Sequence, residues 1–417
     1  MKRLTLLVLF SMLMAPFSSV ALSGGVKVGT LFDISGALKD WGPRQQNAAE
    51  LAAQQMAAAG FTIEFFHEDS QTEAEPAKIA ARKLIDTDKV AVIIGSSSSG
   101  VIVPVAESVT CPENVLMITP GATSPFITDL PEDKGKDFLF RTCPSDALQG
   151  AVLGRLAAGL YKTASVMYVN NAYGQGLADQ FRRTFVKNGG IVYTMIPHGE
   201  AVAKSYAADL RNAYARMYST RPFRSGRSDV LCAFSYPEQA KVYIKEAIDI
   251  YNAKNFLFCD GTKSEELAAA VGPEKLEGMF GTAPGAPAGE ASLKFNADYT
   301  ARFGELPTSP FIANTYDAMA LIGLAAFAAE AKGLEPTSKN IRDHLREVAN
   351  PPGSFIGPGE FEKAFEELKA GKPINYEGAS GSVDFDANGD VLAPIEIWRF
   401  HDGKIVTYRM EYFVEKE

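Results

Sequence analysis

The amino-acid sequence predicts an α/β protein with two doubly wound, parallel-sheet lobes joined by a multi-strand hinge. Strand and helix patterns alternate along the chain, and the alternation restarts near residue 165. Short, continuous apolar runs, such as residues 90–94, are typical of strands that are buried on both faces. A chain of 417 residues also exceeds the usual size of a single hydrophobic core.

The elements follow from these patterns in chain order. Strands are predicted at residues 26–32, 61–66, 90–94, 115–119, 138–141, 165–169, 191–196, 230–234 and 256–259. Helices are predicted at residues 45–59, 77–85, 176–187, 236–251 and 310–332, and a β-hairpin is predicted at 395–400 and 405–408. We expect an N-terminal lobe of residues 26–142 plus 263–352 and a C-terminal lobe of residues 143–262 plus 353–417.

The N-terminus has the three parts of a secretory signal peptide, which we assign to residues 1–21. Lys2 and Arg3 precede an apolar run at 4–17, and the small residues Ser19, Val20 and Ala21 follow it. The apolar run is shorter than the roughly 20 residues that a membrane-spanning helix needs. No Cys lies near the cleavage region, so we expect a soluble protein of the periplasm.

Composition narrows the class of function. The formal net charge is -9, so the chain has no electrostatic reason to bind nucleic acid, and we expect no nucleic-acid partner. We also expect a monomer. None of the four cysteines has Cys-x-x-Cys spacing, and we expect no metal or cofactor. Cys111 and Cys143 border predicted strands and are a candidate disulfide pair, whereas we expect Cys232 and Cys259 to be buried free thiols.

Polar turns follow several predicted strands, at the sheet edge where doubly wound folds bind ligands. In the first half these turns are Gly95 to Gly100, with four serines, and Thr119 to Pro125. They offer hydroxyl and backbone N–H groups to an anion. Simple helix capping would explain the first turn alone, and a second polar turn at the same edge favours a binding site. In the second half Tyr173, Tyr236 and Asp260 offer aromatic rings and a carboxylate to a cation. A zwitterion between the two halves would satisfy both.

These turns belong to a set of motifs that resembles the type I periplasmic solute-binding proteins, and within them the leucine/isoleucine/valine-binding proteins of ABC importers. The resemblance covers nearly the whole chain after residue 21. Its motifs are Ser35-Gly36, Trp41-Gly42, Ile94-Gly95 with the serine run, Pro120-Gly121-Ala122-Thr123, Arg141-Thr142, Pro144-Ser145-Asp146, Tyr173-Gly174-Gln175-Gly176 and Tyr316-Asp317-Ala318.

The resemblance implies a ligand site of seven residues: Trp41, Ser99, Ala122, Thr123, Tyr173, Tyr236 and Asp260. Ser99 and Thr123 match residues that hold the ligand carboxylate, and the Ala122 carbonyl matches an acceptor for the ligand ammonium. Asp260 and Tyr173 match residues beside that ammonium, and the two remaining aromatic residues match those that cover the ligand. The family usually carries Glu where this chain has Asp260, and the shorter acid could admit a different or larger ligand.

The expected function is an extracytoplasmic substrate-binding protein that holds an amino acid, branched-chain or related, and delivers it to the membrane permease of an ABC importer. A first alternative is a periplasmic sensor or receptor for amides or urea-like solutes. A second is a secreted hydrolase, but the chain shows no recognisable catalytic set of residues, and we expect no enzymatic activity.

We interpret several other sequence features as structural rather than functional. Residues 384–390 open like a calcium loop, but Ile395 stands where a bidentate Glu is needed, so we expect a turn before the hairpin. Asp317 is interpreted as a structural cap near a helix start. The basic stretch 212–228 is interpreted as a solvated insertion. Surface or loop positions are expected for the histidines, which are His67, His198, His344 and His401.

Overall fold

The structure is a computed structural model that describes residues 25–214 and 227–413. The predicted signal peptide at 1–21 and most of the basic stretch at 212–228 lie outside the described residues. The strands are β1 Gly25–Phe32, β2 Thr62–Asp69, β3 Val92–Gly95, β4 Leu116–Thr119, β5 Leu139–Arg141, β6 Thr163–Val169, β7 Ile191–His198, β8 Val230–Phe234, β9 Phe256–Phe258, β10 Phe280–Pro284, β11 Ser354–Ile356, β12 Ile374–Gly378, β13 Gly381–Ser382, β14 Ile395–His401 and β15 Lys404–Glu411.

The helices cover the faces of the sheets and supply the connections between parallel strands. They are α1 Gly42–Ala58, α2 Ala74–Asp86, α3 Ser99–Val105, α4 Cys111–Glu113, α5 Asp146–Leu160, α6 Ala172–Lys187, α7 Ala207–Ala213, α8 Pro237–Tyr251, α9 Glu265–Val271, α10 Pro273–Leu276, α11 Glu290–Phe303, α12 Ile312–Ala331, α13 Ser338–Ala349 and α14 Phe361–Lys369. Every strand and helix expected from the sequence is present within a few residues of its expected bounds.

Two large sheets form the two lobes. The first has the order β2-β1-β3-β4-β5 and is parallel throughout. The second has the order β15-β14-β10-β9-β8-β6-β7, with an antiparallel β14 and β15 at one edge. Val92 and Ile94 of β3 point into one hydrophobic core, and Ile93 between them points into another. This alternation shows why the strands are apolar without interruption, and it confirms the expected fold class.

The second half of the chain is distributed between the lobes differently from our expectation. Strand β10 belongs to the second sheet, not to the N-terminal lobe, because β14 pairs along it from Phe280 to Pro284. The stretch from β11 to β13 packs on the N-terminal lobe, where Phe365 stacks on Phe327 of α12 with centroids 4.0 Å apart. These strand pairings and hydrophobic cores do not place the lobe boundaries at residues 262/263 and 352/353, where we expected them. The chain crosses between lobes after β5, after β10 and before β14.

Helix α12 is the central helix of the N-terminal lobe. It is long and apolar enough to span a membrane by length and composition, and 94% of its apolar window is buried within the protein. It packs against α1, α13 and α14. Its apolar character on all sides therefore follows from its place inside the core.

The cysteines and two of the histidines correct the sequence analysis. All four cysteines are free and buried, so the candidate pair Cys111–Cys143 is wrong. The Cys111 thiol lies 3.7 Å from the Asp133 carboxylate, whereas the Cys143 thiol lies 3.6 Å from the Ala122 carbonyl. His198 and His344 are buried rather than at the surface, since each imidazole hydrogen-bonds within the protein.

Asp317 is structural, but it joins two distant segments rather than capping a helix. Its carboxylate accepts hydrogen bonds from the Tyr376 hydroxyl, the Ala379 N–H, and both the N–H and the hydroxyl of Ser380, at 2.6 to 2.9 Å. The side chain is fully buried. These contacts hold the end of β12 against α12.

Replacing Asp317 with Ala is expected to destabilise the fold by about 3 kcal/mol, because four buried donors lose their acceptor. Denaturant unfolding of the purified protein measures this change. Asp343→Ala is the matched control, since Asp343 makes only partly exposed ion pairs on α13 and should change stability by less than about 1 kcal/mol. Equal losses in the two variants would contradict the role assigned to Asp317.

Candidate functional site

The polar turns after β3 and β4 face those after β6, β8 and β9 across the boundary between the lobes. All seven expected ligand residues lie at this boundary or directly beside it, and none is more than 3% exposed. Parallel strands bring their carboxyl ends to one edge, so residues far apart in sequence meet there. The structure therefore brings the seven residues into one buried region between the lobes.

Aromatic rings form the wall of this region. Tyr173 and Tyr236 stack with centroids 5.5 Å apart and planes 9° from parallel. Trp41 packs on Phe311, with centroids 5.8 Å apart. The four rings share one hydrophobic cluster, although Trp41 and Phe311 come from the N-terminal lobe. Phe311 was not identified from the sequence, and its backbone has a positive φ of 69° directly before α12.

Hydrogen bonds join the lobes around these rings. The hydroxyls of Ser98 and Tyr236 lie 2.9 Å apart, and the Asn171 amide donates to the Tyr236 hydroxyl at 3.2 Å. The Ser124 hydroxyl donates to the Ala172 carbonyl at 2.8 Å. Ser98 and Ser124 belong to the N-terminal lobe, so these contacts are those of a closed arrangement.

The lobes also approach closely on both sides of the rings. A Cβ at Gly176 would lie 2.6 Å from the Pro125 ring, so no larger residue fits there when the lobes are closed. At the opposite rim ion pairs cross the boundary. They join Lys39 to Glu238 at 3.3 Å, Asp40 to Lys241 at 3.4 Å, and Arg44 to Glu266 at 3.0 Å.

The N-terminal lobe supplies the groups expected for a ligand carboxylate. The Ser99 hydroxyl oxygen accepts from the Ser124 N–H at 3.1 Å, which leaves the Ser99 hydrogen free to donate. The Thr123 hydroxyl instead donates to Asp146 at 2.8 Å. Of the groups on Thr123, the backbone N–H is therefore the one suited to an anion.

The C-terminal lobe supplies the acidic end of the region. Asp260 Oδ1 accepts from the Tyr173 hydroxyl at 2.8 Å and from the Gln149 amide at 2.7 Å. Burial raises the pKa of Asp260, against the lowering effect of these hydrogen bonds. Burial, and then the nearby Asp260, raise the pKa of Asp146 well above its usual range. Two carboxyl groups thus share one buried site.

Sequence analysis did not assign ligand-site roles to Asp146 and Gln149. Both lie on the first turn of α5, three positions apart, so they share one face of the helix. The available signal was an Asp-x-x-Gln spacing at the start of α5, the helix that follows β5. That signal alone does not reveal the contact with Asp260, which lies 111 positions from Gln149 in the sequence.

The turn that carries Ala122, Thr123 and Ser124 is held from behind by Arg141. The fully buried Arg141 guanidinium pairs with both carboxylate oxygens of Asp390 at 2.7 Å. It also donates to the Ser124 carbonyl and to the Thr128 hydroxyl, each at 2.8 Å. Asp390 ends the expected turn at 384–390, which the Asp386 carboxylate closes by accepting two backbone N–H groups.

A serine and histidine pair lies nearby but faces elsewhere. His198 Nε2 is 2.5 Å from the Ser235 hydroxyl, and both side chains are buried. The imidazole packs edge-on against Tyr206, and the phenol rings of Tyr206 and Tyr243 belong to the core on the other face of the second sheet. This pair stabilises that core.

Comparisons with known proteins identify the family of the chain. The family model described as periplasmic binding protein matches residues 25–370. A chemotactic signal transduction system substrate-binding protein, BasB, from Halobacterium salinarum is 26% identical and covers 92% of this chain and 88% of its own length. A leucine-, isoleucine-, valine-, threonine- and alanine-binding protein from Pseudomonas aeruginosa is also 26% identical and covers 91% of each chain.

Solved structures share the fold. The substrate-binding protein LivJ from Streptococcus pneumoniae, in complex with isoleucine, has a TM-score of 0.72 at 22% identity and covers 93% of this chain and 99% of its own. A solute-binding protein from R. palustris, in complex with benzoate, has a TM-score of 0.72 at 19% identity and covers 94% and 98%. The chain belongs to the periplasmic binding protein family, with the type I fold of the leucine/isoleucine/valine-binding proteins.

Proposed function

We propose that this chain is the extracytoplasmic substrate-binding protein of an ABC importer, and that it holds an amino acid, branched-chain or related, between its lobes. The main observation in support is the buried boundary at which hydroxyl and N–H donors of one lobe face Asp260 and Tyr173 of the other. A zwitterion is the small solute that matches both sides. The names of the P. aeruginosa and S. pneumoniae relatives support the choice of an amino acid.

The two lobes explain why binding would be a signal. Ser99 and Thr123 belong to one lobe and Asp260 to the other, so neither lobe alone contacts both ends of a zwitterion. A solute that binds both lobes stabilises the closed arrangement over an open one. The closed form is then the form that a membrane permease would accept, with the protein acting as a monomer.

The acidic end also argues against a purely anionic ligand. One structural neighbour is in complex with benzoate, which carries a carboxylate and no cation. In this chain such an anion would share a buried site with two carboxyl groups and no unpaired cation among the described residues around them. Like charges in a dry site repel strongly, so benzoate should bind poorly.

A sensor for amides or urea-like solutes is the second candidate. The name of the H. salinarum relative associates that protein with chemotaxis. An amide has N–H donors but no positive charge, so a neutral Asn at position 260 would still accept them. Asp260→Asn therefore separates the two candidates: binding survives for an amide and is lost for an ammonium.

Replacing Asp260 with Ala is expected to weaken amino-acid binding about 100-fold, because a buried, hydrogen-bonded charge partner is removed. Titration calorimetry with leucine, isoleucine, valine, threonine and alanine measures this change, with benzoate and urea as comparison solutes. Asp249→Ala, at an exposed position on α8 of the same lobe, should leave the affinity unchanged. Undiminished binding by Asp260→Ala would contradict the proposed site.

Replacing Asp390 with Asn is expected to lower affinity roughly 10-fold, because Arg141 loses its charged partner and no longer fixes the Ser124 carbonyl. Asp137→Asn is the matched control. Asp137 also forms a two-point ion pair, with Arg346, and Arg346 donates to the same 384–390 turn at the Asp386 carbonyl. That pair does not reach the ligand turn. If both variants lower thermal stability and neither changes affinity, Asp390 has no role in positioning the turn.

A further inference from the structure

In the described part of the chain, the buried acids Asp146 and Asp260 face one cation, Arg141, which also pairs with Asp390. The groups that face Asp146 and Asp260 are Arg141, Cys143, Tyr173 and Cys259, besides the acids themselves. Arg141 is already neutralised by the two-point pair with Asp390. Burial raises the pKa of Cys143, of Cys259 and of Tyr173, so these three groups are neutral. An ammonium from one zwitterion offsets one of the two carboxylates only.

Two hydrogen-bond acceptors beside the acids have no donor. Asp146 Oδ1 and Gln149 Oε1 are buried, and neither has a hydrogen-bond partner among the described residues. A proton carried by Asp146 is a hydrogen that the protein itself can supply to these oxygens. Residues at positions i and i+3 of a helix are neighbours, so one hydrogen between these two oxygens would satisfy both.

We propose that Asp146 is a neutral carboxylic acid in the closed form and that its proton is donated to Gln149 Oε1, so that Asp260 alone carries the negative charge of the site. This inference rests on the proposed amino-acid function and names the residue that sets the charge of its site. It makes Asp146 a positioning residue, since it acts on the ligand through Thr123 and Asp260.

The proton completes a polar chain that runs through Thr123, Asp146, Gln149 and Asp260. The Thr123 hydroxyl donates to Asp146 Oδ2 at 2.8 Å, and the Gln149 amide donates to Asp260 Oδ1 at 2.7 Å. The Asp146 proton supplies the link between these two bonds. Consecutive hydrogen bonds polarise one another, so the chain connects the carboxylate end of the site with its ammonium end. Asp260 keeps the one negative charge that a ligand ammonium meets.

This chain of hydrogen bonds explains why a second cationic group on the ligand would weaken binding. With Asp146 neutral, the charge of Asp260 balances one ammonium, and Ser99 with the Thr123 N–H balances the carboxylate. A lysine or arginine side chain would add a buried charge with no partner in the described site, which is costly.

The test compares Asp146→Asn with Asp260→Asn. An Asn at position 146 retains an oxygen for the Thr123 hydroxyl and an N–H for Gln149, so it imitates the neutral acid. We expect leucine, isoleucine, valine, threonine or alanine to bind Asp146→Asn within about threefold of the unsubstituted protein. Asp260→Asn should lose about 100-fold with the same amino acid. Lysine and arginine should bind at least about tenfold more weakly than the best neutral amino acid.

Infrared spectroscopy tests the proton without any ligand. The unsubstituted protein at neutral pH should show the C=O stretching band of a protonated carboxyl group, and Asp146→Asn should lack it. The inference is overturned if the spectra of the unsubstituted protein and Asp146→Asn show the same band, or if neither shows one. It is also overturned if Asp146→Asn loses as much affinity as Asp260→Asn, or if lysine or arginine binds best. If none of the seven amino acids binds, the proposed function is overturned. The infrared comparison needs no ligand and therefore still tests the proton on Asp146.

Discussion

Burial of Asp260 between the lobes is the constraint on which the rest of the site depends. A carboxylate removed from water costs several kcal/mol unless hydrogen bonds and an opposite charge compensate for it. The Tyr173 hydroxyl and the Gln149 amide supply the hydrogen bonds. No unpaired cation among the described residues supplies the charge, so the closed protein has a requirement that a cationic ligand group would meet. That requirement gives ligand binding and lobe closure a common physical cause.

The ligand turn at 122–124 is held in place by a distant part of the chain. The Arg141 ion pair with Asp390 joins the ligand turn of the first sheet to the turn before the hairpin, 249 positions away. That hairpin is an edge of the second sheet, so the turn lies beside a crossing between the lobes. The ligand turn and the hinge are therefore connected through one buried guanidinium. A shift of the hinge on closure would reach the Ser124 carbonyl directly.

The sequence predicted strands β1 to β9 and the hairpin β14–β15, but it did not predict β10 to β13 or the distribution of the elements between the lobes. Residues 90–94 and 230–234 are apolar without interruption, and this pattern identifies a strand buried on both faces wherever it occurs. The sequence of a short strand such as β12, Ile374–Gly378, does not specify which of two cores it enters. That choice depends on contacts like the one between Asp317 and Ser380, which joins residues 63 positions apart. The domain boundaries were beyond pattern reasoning for this reason.

The same distinction applies to the site. Motifs located Tyr173, Tyr236 and Asp260, which stand just after strand ends where the fold places ligands. They also located Trp41 but not Phe311. Asp146 and Gln149 stand at a helix start, where Asp and Gln ordinarily serve as capping residues, and nothing local separates the two roles. The difference lies in what the helix start faces. Here it faces Asp260 and the back of Thr123, so the first turn of α5 contributes a buried acid and hydrogen bonds to the ligand region instead of only beginning a helix. A helix start of this kind sets how many charges the closed site holds, and that number constrains the ligand more strongly than the shape of the aromatic wall does, since an unpaired buried charge costs more than an imperfect apolar fit.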